Sequence, residues 1–409
     1  MQDPNKSALL EIYRHALQAV SGRRAVAAYL TRHPLSGRVR MVAVGKAAQS
    51  MAEGAWEVLG EAINHALIVS KYGHVDREIC LQRGWEVVES GHPLPDLASL
   101  HAGQRLLELL RRDDPAGLLF LISGGASSLL ECPVAGVDPG FLRHANDWLL
   151  GSGLGIEEMN WVRKGLSRIK GGGLLQWLGD KPVWALAISD VPGDDPAIIG
   201  SGLLVPDAGL QAGLQRLTLP EWLAGPVLDG LAQRHPAPAK TPRVELVANL
   251  GLAKRAAAKQ ASAMCYAVRV VDEFIAGDAA QQGRRLANSL LQGEPGVTIW
   301  GGETTVRLPP GPGRGGRNQH LALAAAEVLQ GHSGVWLLSA GTDGTDGPTE
   351  DAGALVDGLT AERARVEGLD LQQVLAQADA GRLLEATGDL ITTGPTGTNV
   401  MDLMIGLKV

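Results

Sequence analysis

Short, almost wholly apolar runs that each stop on a loop of glycine, serine or aspartate set the architecture of this chain. Val39-Arg-Met-Val-Ala-Val44, Leu118-Leu-Phe-Leu-Ile122 and Pro182-Val-Trp-Ala-Leu-Ala-Ile188 are the clearest. Ala66-Leu-Ile-Val69 and the stretch from Trp85 to Glu89 are weaker versions. A strand apolar on both faces must be covered on both faces. The segments between the runs have helical spacing, as in Leu100, Leu106, Leu107 and Leu110, and so do Leu9, Ile12, Ala16 and Val20 near the start. Strands and helices alternating in this way predict an α/β fold with a mostly parallel sheet covered by helices. In such sheets ligands are held by loops beyond the carboxyl ends of the strands. The unusual loops fall there: Gly45-Lys46, Ser123-Gly124-Gly125 and Ser189-Asp-Val-Pro-Gly-Asp194.

A chain of 409 residues is long enough for two cores. The stretch His235-Pro-Ala-Pro-Ala-Lys-Thr-Pro-Arg243 reads as a semi-rigid linker. A second α/β set is predicted after it: strand 243–248, helix 250–263, strand 266–271, helix 278–292, strand 297–301, helix 317–330 and strand 335–340. The expected domains are therefore 1–238, a larger Rossmann-like α/β domain, and 239–409, a second α/β domain. The last residues are expected to pack back on the first, and the active site to lie in the cleft between the two.

Gly45-Lys46 ends a strand and opens a helix, where unpaired N–H groups and the helix dipole attract anions. A lysine there disfavours the helix, so Lys46 reads as a ligand contact, with a solvated surface lysine as the competing reading. The run is not a Walker A loop, because Ala47 stands where Ser or Thr is required. Ser123-Gly-Gly-Ala-Ser-Ser128 has the small residues and hydroxyls that cradle a phosphate or carboxylate, or it is a plain tight turn. Asp190, Asp194 and Asp195 cluster past a strand, as do Asp343 and Asp346 in Gly341-Thr-Asp-Gly-Thr-Asp-Gly347. Carboxylates so placed suit Mg²⁺ with water and phosphate oxygens, or they only cap turns and helices. Gly394-Pro-Thr-Gly-Thr-Asn399 either contacts ligand or forms turns. Gly301-Gly-Glu-Thr-Thr305 and Gly311-Pro-Gly-Arg-Gly-Gly-Arg317-Asn318 combine close backbone approach with guanidinium forks, an anion site rather than core. Residues 311–316 also match G-x-G-x-x-G, but Thr304 to Pro310 separate them from the strand, whereas a dinucleotide fingerprint sits on the strand-to-helix turn.

Net charge is −7 with no long basic stripe, which argues against nucleic acid as a partner. Cys80, Cys132 and Cys265 are odd in number and widely spaced, so neither a disulfide framework nor a zinc cage is expected. No run of about 18 apolar residues and no leader pattern is present, and a soluble, cytoplasmic protein with no membrane partner is the expectation.

Taken together, the motifs resemble the glycerate kinases that make 2-phosphoglycerate, the MOFRL-domain family, some of whose members are named hydroxypyruvate reductases. The resemblance rests on Val44-Gly-Lys-Ala-Ala48, Gly91-His-Pro-Leu-Pro-Asp96, Ser123-Gly-Gly-Ala-Ser-Ser128, Asn160-Trp-Val-Arg-Lys-Gly-Leu-Ser167 and Lys170-Gly-Gly172. It continues through Ser189-Asp-Val-Pro-Gly-Asp-Asp195, Gly301-Gly-Glu-Thr-Thr-Val306, Gly315-Gly-Arg-Asn318, Gly341 to Gly347 and Thr393 to Asn399. Gly165 departs from it, since relatives often carry His after the Arg-Lys pair. The resemblance implies transfer of the ATP γ-phosphate to the 2-hydroxyl of D-glycerate, with Lys46 and Arg317 as the catalytic pair. Expected substrate and phosphate contacts are Gly45, Ser123, Gly124, Gly125, Ser127, His92, Glu303 and Asn318, and expected Mg²⁺ ligands are Asp190, Asp343 and Asp346. The partners implied are ATP and D-glycerate, and a homodimer is left open. Two rival readings stand beside this one: an NAD(P)H-dependent hydroxypyruvate reductase, and a non-catalytic binding protein for a sugar acid or nucleotide.

Overall fold

The computed structural model describes residues 3–234 and 241–409. The expected domain boundary at 238/239 and residues 235–240 of the expected linker lie outside the described residues. The chain divides into two compact units, one of Gly22–Val247 and the other of Met1–Ser21 with Ala248–Val409.

The 22–247 unit is built on a six-stranded sheet. Its strands are β1 (Val39–Val44), β2 (Ile63–Lys71), β3 (Glu86–Ser90), β4 (Gly117–Ile122), β5 (Val183–Ile188) and β6 (Val244–Ala248), in the order β3-β2-β1-β4-β5-β6. The pairs β1–β2, β2–β3, β1–β4 and β4–β5 are all parallel. Every residue of β1 and β4 is buried, as apolar runs flanked by strands on both edges and covered on both faces should be. Val42, Val44, Leu67 and Phe120 pack with Leu106, Leu110 and Leu174 in the main core of this unit. The strand at 243–248, expected to open the second α/β set, instead lies beside β5 at the edge of this sheet. Its five half-alternating residues fit an edge position, and nothing local tells which sheet it joins.

A smaller helical core sits around Val162, Leu166, Leu214, Leu223 and Val227. Here the Gly165 departure has a physical reason. A Cβ at Gly165 would stand 2.8 Å from Val227 Cγ1, and a Cβ at Gly230 would stand 1.9 Å from the Gly165 carbonyl oxygen. The helices Ile156–Gly165 and Glu221–Ala232 cross at these two glycines, which leaves no room there for an imidazole.

The second unit has a mixed six-stranded sheet. It contains β7 (Val268–Asp278), β8 (Gly296–Thr305), β9 (Val335–Gly341), β10 (Gly353–Asp357), β11 (Leu390–Ile391) and β12 (Asp402–Lys408), in the order β11-β10-β9-β12-β8-β7. Only β7 and β8 are parallel neighbours; β12 runs antiparallel to both β8 and β9. Strand β12 thus occupies a central position in this sheet. The apolar alternation in Asp402-Leu-Met-Ile-Gly-Leu-Lys408 is fully buried up to its final lysine, as a central strand requires. Helix Arg317–Leu329 buries ten of its residues, including the run Leu321 to Ala326, in the core of this unit.

The opening helix Pro4–Ala19 belongs to this second unit as well. Leu9, Ile12, Tyr13 and Ala16 are fully buried, Tyr13 Oη donates to the Gly341 carbonyl at 2.7 Å, and Thr398 Oγ donates to the Val20 carbonyl at 2.7 Å. Both acceptor and donor loops are motif loops, so the start of the chain is fastened to them from beneath.

Gly302 sits where β8 meets Ile275 of β7, and a Cβ there would lie 2.0 Å from the Ile275 carbonyl oxygen. The backbones must separate to admit a methyl group. Gly302→Ala is expected to destabilise the protein by about 1–3 kcal/mol, read as a lowered urea midpoint with an unchanged m-value.

Candidate active site

The strand order β3-β2-β1-β4-β5-β6 reverses direction between β1 and β4, and such switch points hold ligands beyond the strand carboxyl ends. Val44, Ile122 and Ala187 are in register, so the loops that follow β1, β4 and β5 leave the sheet side by side. At the switch point the first two are knitted together. Lys46 N–H donates to the Gly124 carbonyl at 2.9 Å, Ala47 N–H donates to Ser123 Oγ at 3.1 Å, and Gly45 N–H donates to the Val69 carbonyl at 3.0 Å. Gly45 has φ +121°, and a Cβ on it would overlap Ser123 Oγ at 2.2 Å. Only glycine lets these loops close. Ser70 Oγ donates to the Gly45 carbonyl at 3.0 Å from β2, so the turn is held from three strands.

Lys46 is half-buried at this turn, two residues ahead of helix Ala48–Leu59. Gly125 is left-handed at φ +85°, and a Cβ on it would stand 3.2 Å from His92 Nε2, which places His92 beside the same loop. Asp190 follows β5 in half-buried loop structure at the same end of the sheet. The structure therefore brings Gly45, Lys46, His92, Ser123, Gly124 and Gly125 together. Ser123 is fully buried, and its hydroxyl ties the two loops together.

In the second unit the ends of β8 and β9 and the start of β12 meet. Asp402 lies in register with Gly302 on one side and Gly341 on the other. Arg317, the first residue of its helix, donates from Nη1 to Glu303 at 2.7 Å and from Nη2 to both oxygens of Asp402 at 3.3 and 3.4 Å. Its Nε is buried with no hydrogen-bond partner, a donor still to be satisfied. Burial alone would weaken its charge, but Asp402, Glu303 and Asp346 hold its pKa above the usual value.

Asp346 is the N-terminal anchor of that helix. Its Oδ1 accepts from Asn318 N–H at 3.0 Å and its Oδ2 from Gln319 N–H at 2.8 Å. A Cβ on Gly316 would lie 2.3 Å from its carboxyl carbon, so the glycine is what admits this carboxylate to the helix end. Burial pushes the Asp346 carboxyl up to about 7 in spite of those two N–H donors. Burial also pushes Asp402 up to about 6, against the pull of Arg317 and the Asn318 amide. Asp343 is buried, with Oδ1 accepting from Thr345 N–H at 3.0 Å. Asn318, expected as a ligand contact, is buried at 1% exposure. Its amide oxygen accepts from Ser339 Oγ at 2.6 Å, and its amide nitrogen donates to Asp346 Oδ1 at 3.4 Å.

Asp402 was not anticipated from sequence. It opens an ordinary-looking strand, and only the antiparallel placement of β12 between β8 and β9 brings it to Arg317. Among the described residues, no three His, Cys, Asp or Glu side chains stand close enough to hold a metal ion by themselves. The carboxylate donors are of the kind Mg²⁺ takes, and Mg²⁺ is usually held by one or two carboxylates with phosphate and water completing its shell. Both Asp346 oxygens accept N–H groups from the helix end. No helix among the described residues is long and apolar enough to cross a membrane.

Comparison with known proteins agrees with the motifs. Residues 296–402 match the MOFRL family, and residues 8–218 match a domain of unknown function, DUF4147. The D-glycerate 2-kinase of Thermotoga maritima is 39% identical over all of both chains. Its relative from Pyrococcus horikoshii, named glycerate 2-kinase, is 33% identical over 91% of this chain and 88% of its own. A protein of Agrobacterium vitis named, provisionally, as a hydroxypyruvate reductase is 36% identical over 90% of this chain and 98% of its own. The crystal structure of glycerate kinase from Thermotoga maritima superposes with a TM-score of 0.86, at 38% identity over 99% of this chain and 100% of that one.

The raised Asp346 value has a consequence for stability. A carboxyl whose folded pKa lies above its unfolded value stabilises the fold fully at pH below about 4, and that contribution is lost as pH rises through about 7. Denaturation of wild type and Asp346→Asn from pH 4 to 8 should show the wild type losing stability relative to the variant across that window. A constant difference between them would contradict the burial argument.

Proposed function

The chain belongs to the glycerate kinase family, with its DUF4147 and MOFRL portions in sequence, and we propose that it phosphorylates D-glycerate at the 2-hydroxyl with ATP. The observation that carries this reading is the knitted pair of loops at the β1/β4 switch point, which presents Lys46 and glycine backbone to an anion without a dinucleotide fingerprint. Phosphoryl transfer asks little covalent chemistry of a protein; it asks for positioning and for neutralisation of charge spread over the transferring group.

In that reaction the 2-hydroxyl oxygen forms the new bond to the γ-phosphorus as the bridge to ADP breaks, and the hydroxyl proton leaves to a carboxylate. Lys46 supplies a compact positive charge at its helix end, and the Gly124 and Gly125 backbone leaves space for oxygens to approach. Arg317 supplies a planar guanidinium fork of fixed positive charge. Glu303 and Asp402 hold that fork in one orientation before any ligand arrives, which lowers the cost of ordering it. Asp402, with a pKa near 6, is suited to exchange a proton close to neutrality. Carboxylates of the one unit, Asp190, or of the other, Asp343 and Asp346, would hold Mg²⁺, which when bound offsets the charge of the nucleotide phosphates.

The reductase reading rests on the G-x-G-x-x-G at 311–316. These residues lie past Thr305, the end of β8, and are separated from it by Val306 to Pro310, so they do not form a strand-to-helix turn. The Rossmann order occurs in the other unit, whose first turn carries Gly45-Lys46-Ala47 instead.

Incubation with ATP and D-glycerate, followed by phosphorus NMR, should give 2-phospho-D-glycerate; 3-phosphoglycerate would overturn the assigned position. NADH oxidation by hydroxypyruvate at a comparable rate would favour the reductase. Lys46→Ala and Arg317→Ala should each lower kcat/KM by about 10³-fold, with circular dichroism unchanged. Near-normal turnover in either variant would remove that residue from the chemistry.

A further inference from the structure

The loop after β5 carries a residue in an unfavourable conformation next to the anion site. Ser201 has φ +60°, a left-handed backbone that side chains other than glycine seldom adopt. It stands between Gly200 at φ +56° and Gly202 at φ +66°. Three consecutive left-handed residues make a tight knot, and the middle one is not glycine although glycine would relieve it.

The knot is fastened at several points. A Cβ on Gly200 would stand 3.2 Å from Ala126 Cβ and from Ile122 Cγ2, so the loop presses on the first residue after Gly125. The Ser201 carbonyl accepts from Gly171 N–H at 2.9 Å and the Gly202 carbonyl from Gly172 N–H at 2.7 Å. Ser201 is buried at 7% exposure, and its Oγ lies 2.7 Å from Ser127 Oγ. Ser127 itself is half-buried in the 123–128 loop. Hydroxyl oxygens at that distance share one proton: one donates, and the other keeps its own proton for a third group.

We propose that Ser201 is a positioning residue that donates to Ser127 and so turns the Ser127 proton toward an anionic oxygen, carboxylate or phosphoryl, bound at the 123–128 loop. The left-handed backbone is retained because it delivers the Ser201 hydroxyl to that point. The inference rests on the kinase reading for its substrates, but not for its geometry. Glycine at 201 removes the hydroxyl and the backbone strain together, so stability and activity move in opposite directions, which a merely structural serine would not do.

The test compares wild type, Ser201→Gly, Ser127→Ala and the double variant, with D-glycerate and ATP varied separately. Ser201→Gly should raise the ligand-free melting temperature by about 1–3 °C and lower kcat/KM by about tenfold. In the Ser127→Ala background the same change should cost less than about twofold, because the proton it orients is already gone. A KM rise confined to D-glycerate identifies the held oxygen as carboxylate, and one confined to ATP as phosphoryl. Unchanged kcat/KM in Ser201→Gly, a lowered melting temperature, or full additivity in the double variant overturns the proposal. If wild type lacks glycerate turnover, the kinase reading falls by itself. The four proteins are then compared by the melting-temperature rise that ATP or D-glycerate gives each, where equal rises in wild type and Ser201→Gly overturn the proposal and a smaller rise in Ser201→Gly supports it.

Discussion

The loops after β1 and β4 are closed on each other by two hydrogen bonds, Lys46 N–H to Gly124 and Ala47 N–H to Ser123 Oγ. This contact depends on a glycine at 45, because any side chain would occupy the position of the Ser123 hydroxyl. It also depends on the sheet order, which places the ends of β1 and β4 side by side where the winding reverses. The remaining features of that unit's site are secondary to it. His92 borders Gly125, and the loop after β5 packs on Ala126.

The second unit is organised around a charge cluster. It gathers carboxylates around one guanidinium and pays their desolvation with helix-end N–H groups and with Arg317 itself. Removing one member of such a cluster leaves the others with uncompensated charge, so these residues act as a set. The raised pKa values of Asp346 and Asp402 are the signature of that confinement.

Much of this was legible in the chain before its structure. Apolar runs ending on small residues mark strands and the loops beyond them at once, so the turn at Gly45-Lys46 and the loop at 123–125 were legible by pattern. Arg317 and Glu303 stood out because glycine-rich sequence around charge makes poor core. Other roles depended on information that no local window contains. Ser123 and Asn318 have the right chemistry for ligand contacts, yet they are buried, and burial is decided by neighbours distant in sequence. Asp402 is an unremarkable strand start until β12 is placed between β8 and β9. Strand β6 reads the same whichever sheet it joins. The membership of helix Pro4–Ala19 is equally nonlocal: its apolar face is plain, but its partners are more than two hundred residues away.

The central position of β12 bears on how the protein is made. A ribosome releases a chain from its amino end, and sheets propagate by adding strands to existing edges. Here the gap between β8 and β9 is bridged only by residues 402–408, which follow every other strand of that sheet in the chain. The 22–247 unit has nearly all its strands available early, whereas the other must wait for residues 402–408, with its opening helix Pro4–Ala19 already synthesised. A polypeptide stopped before residue 402 therefore lacks both the central strand of this sheet and the carboxylate that Asp402 sets beside Arg317.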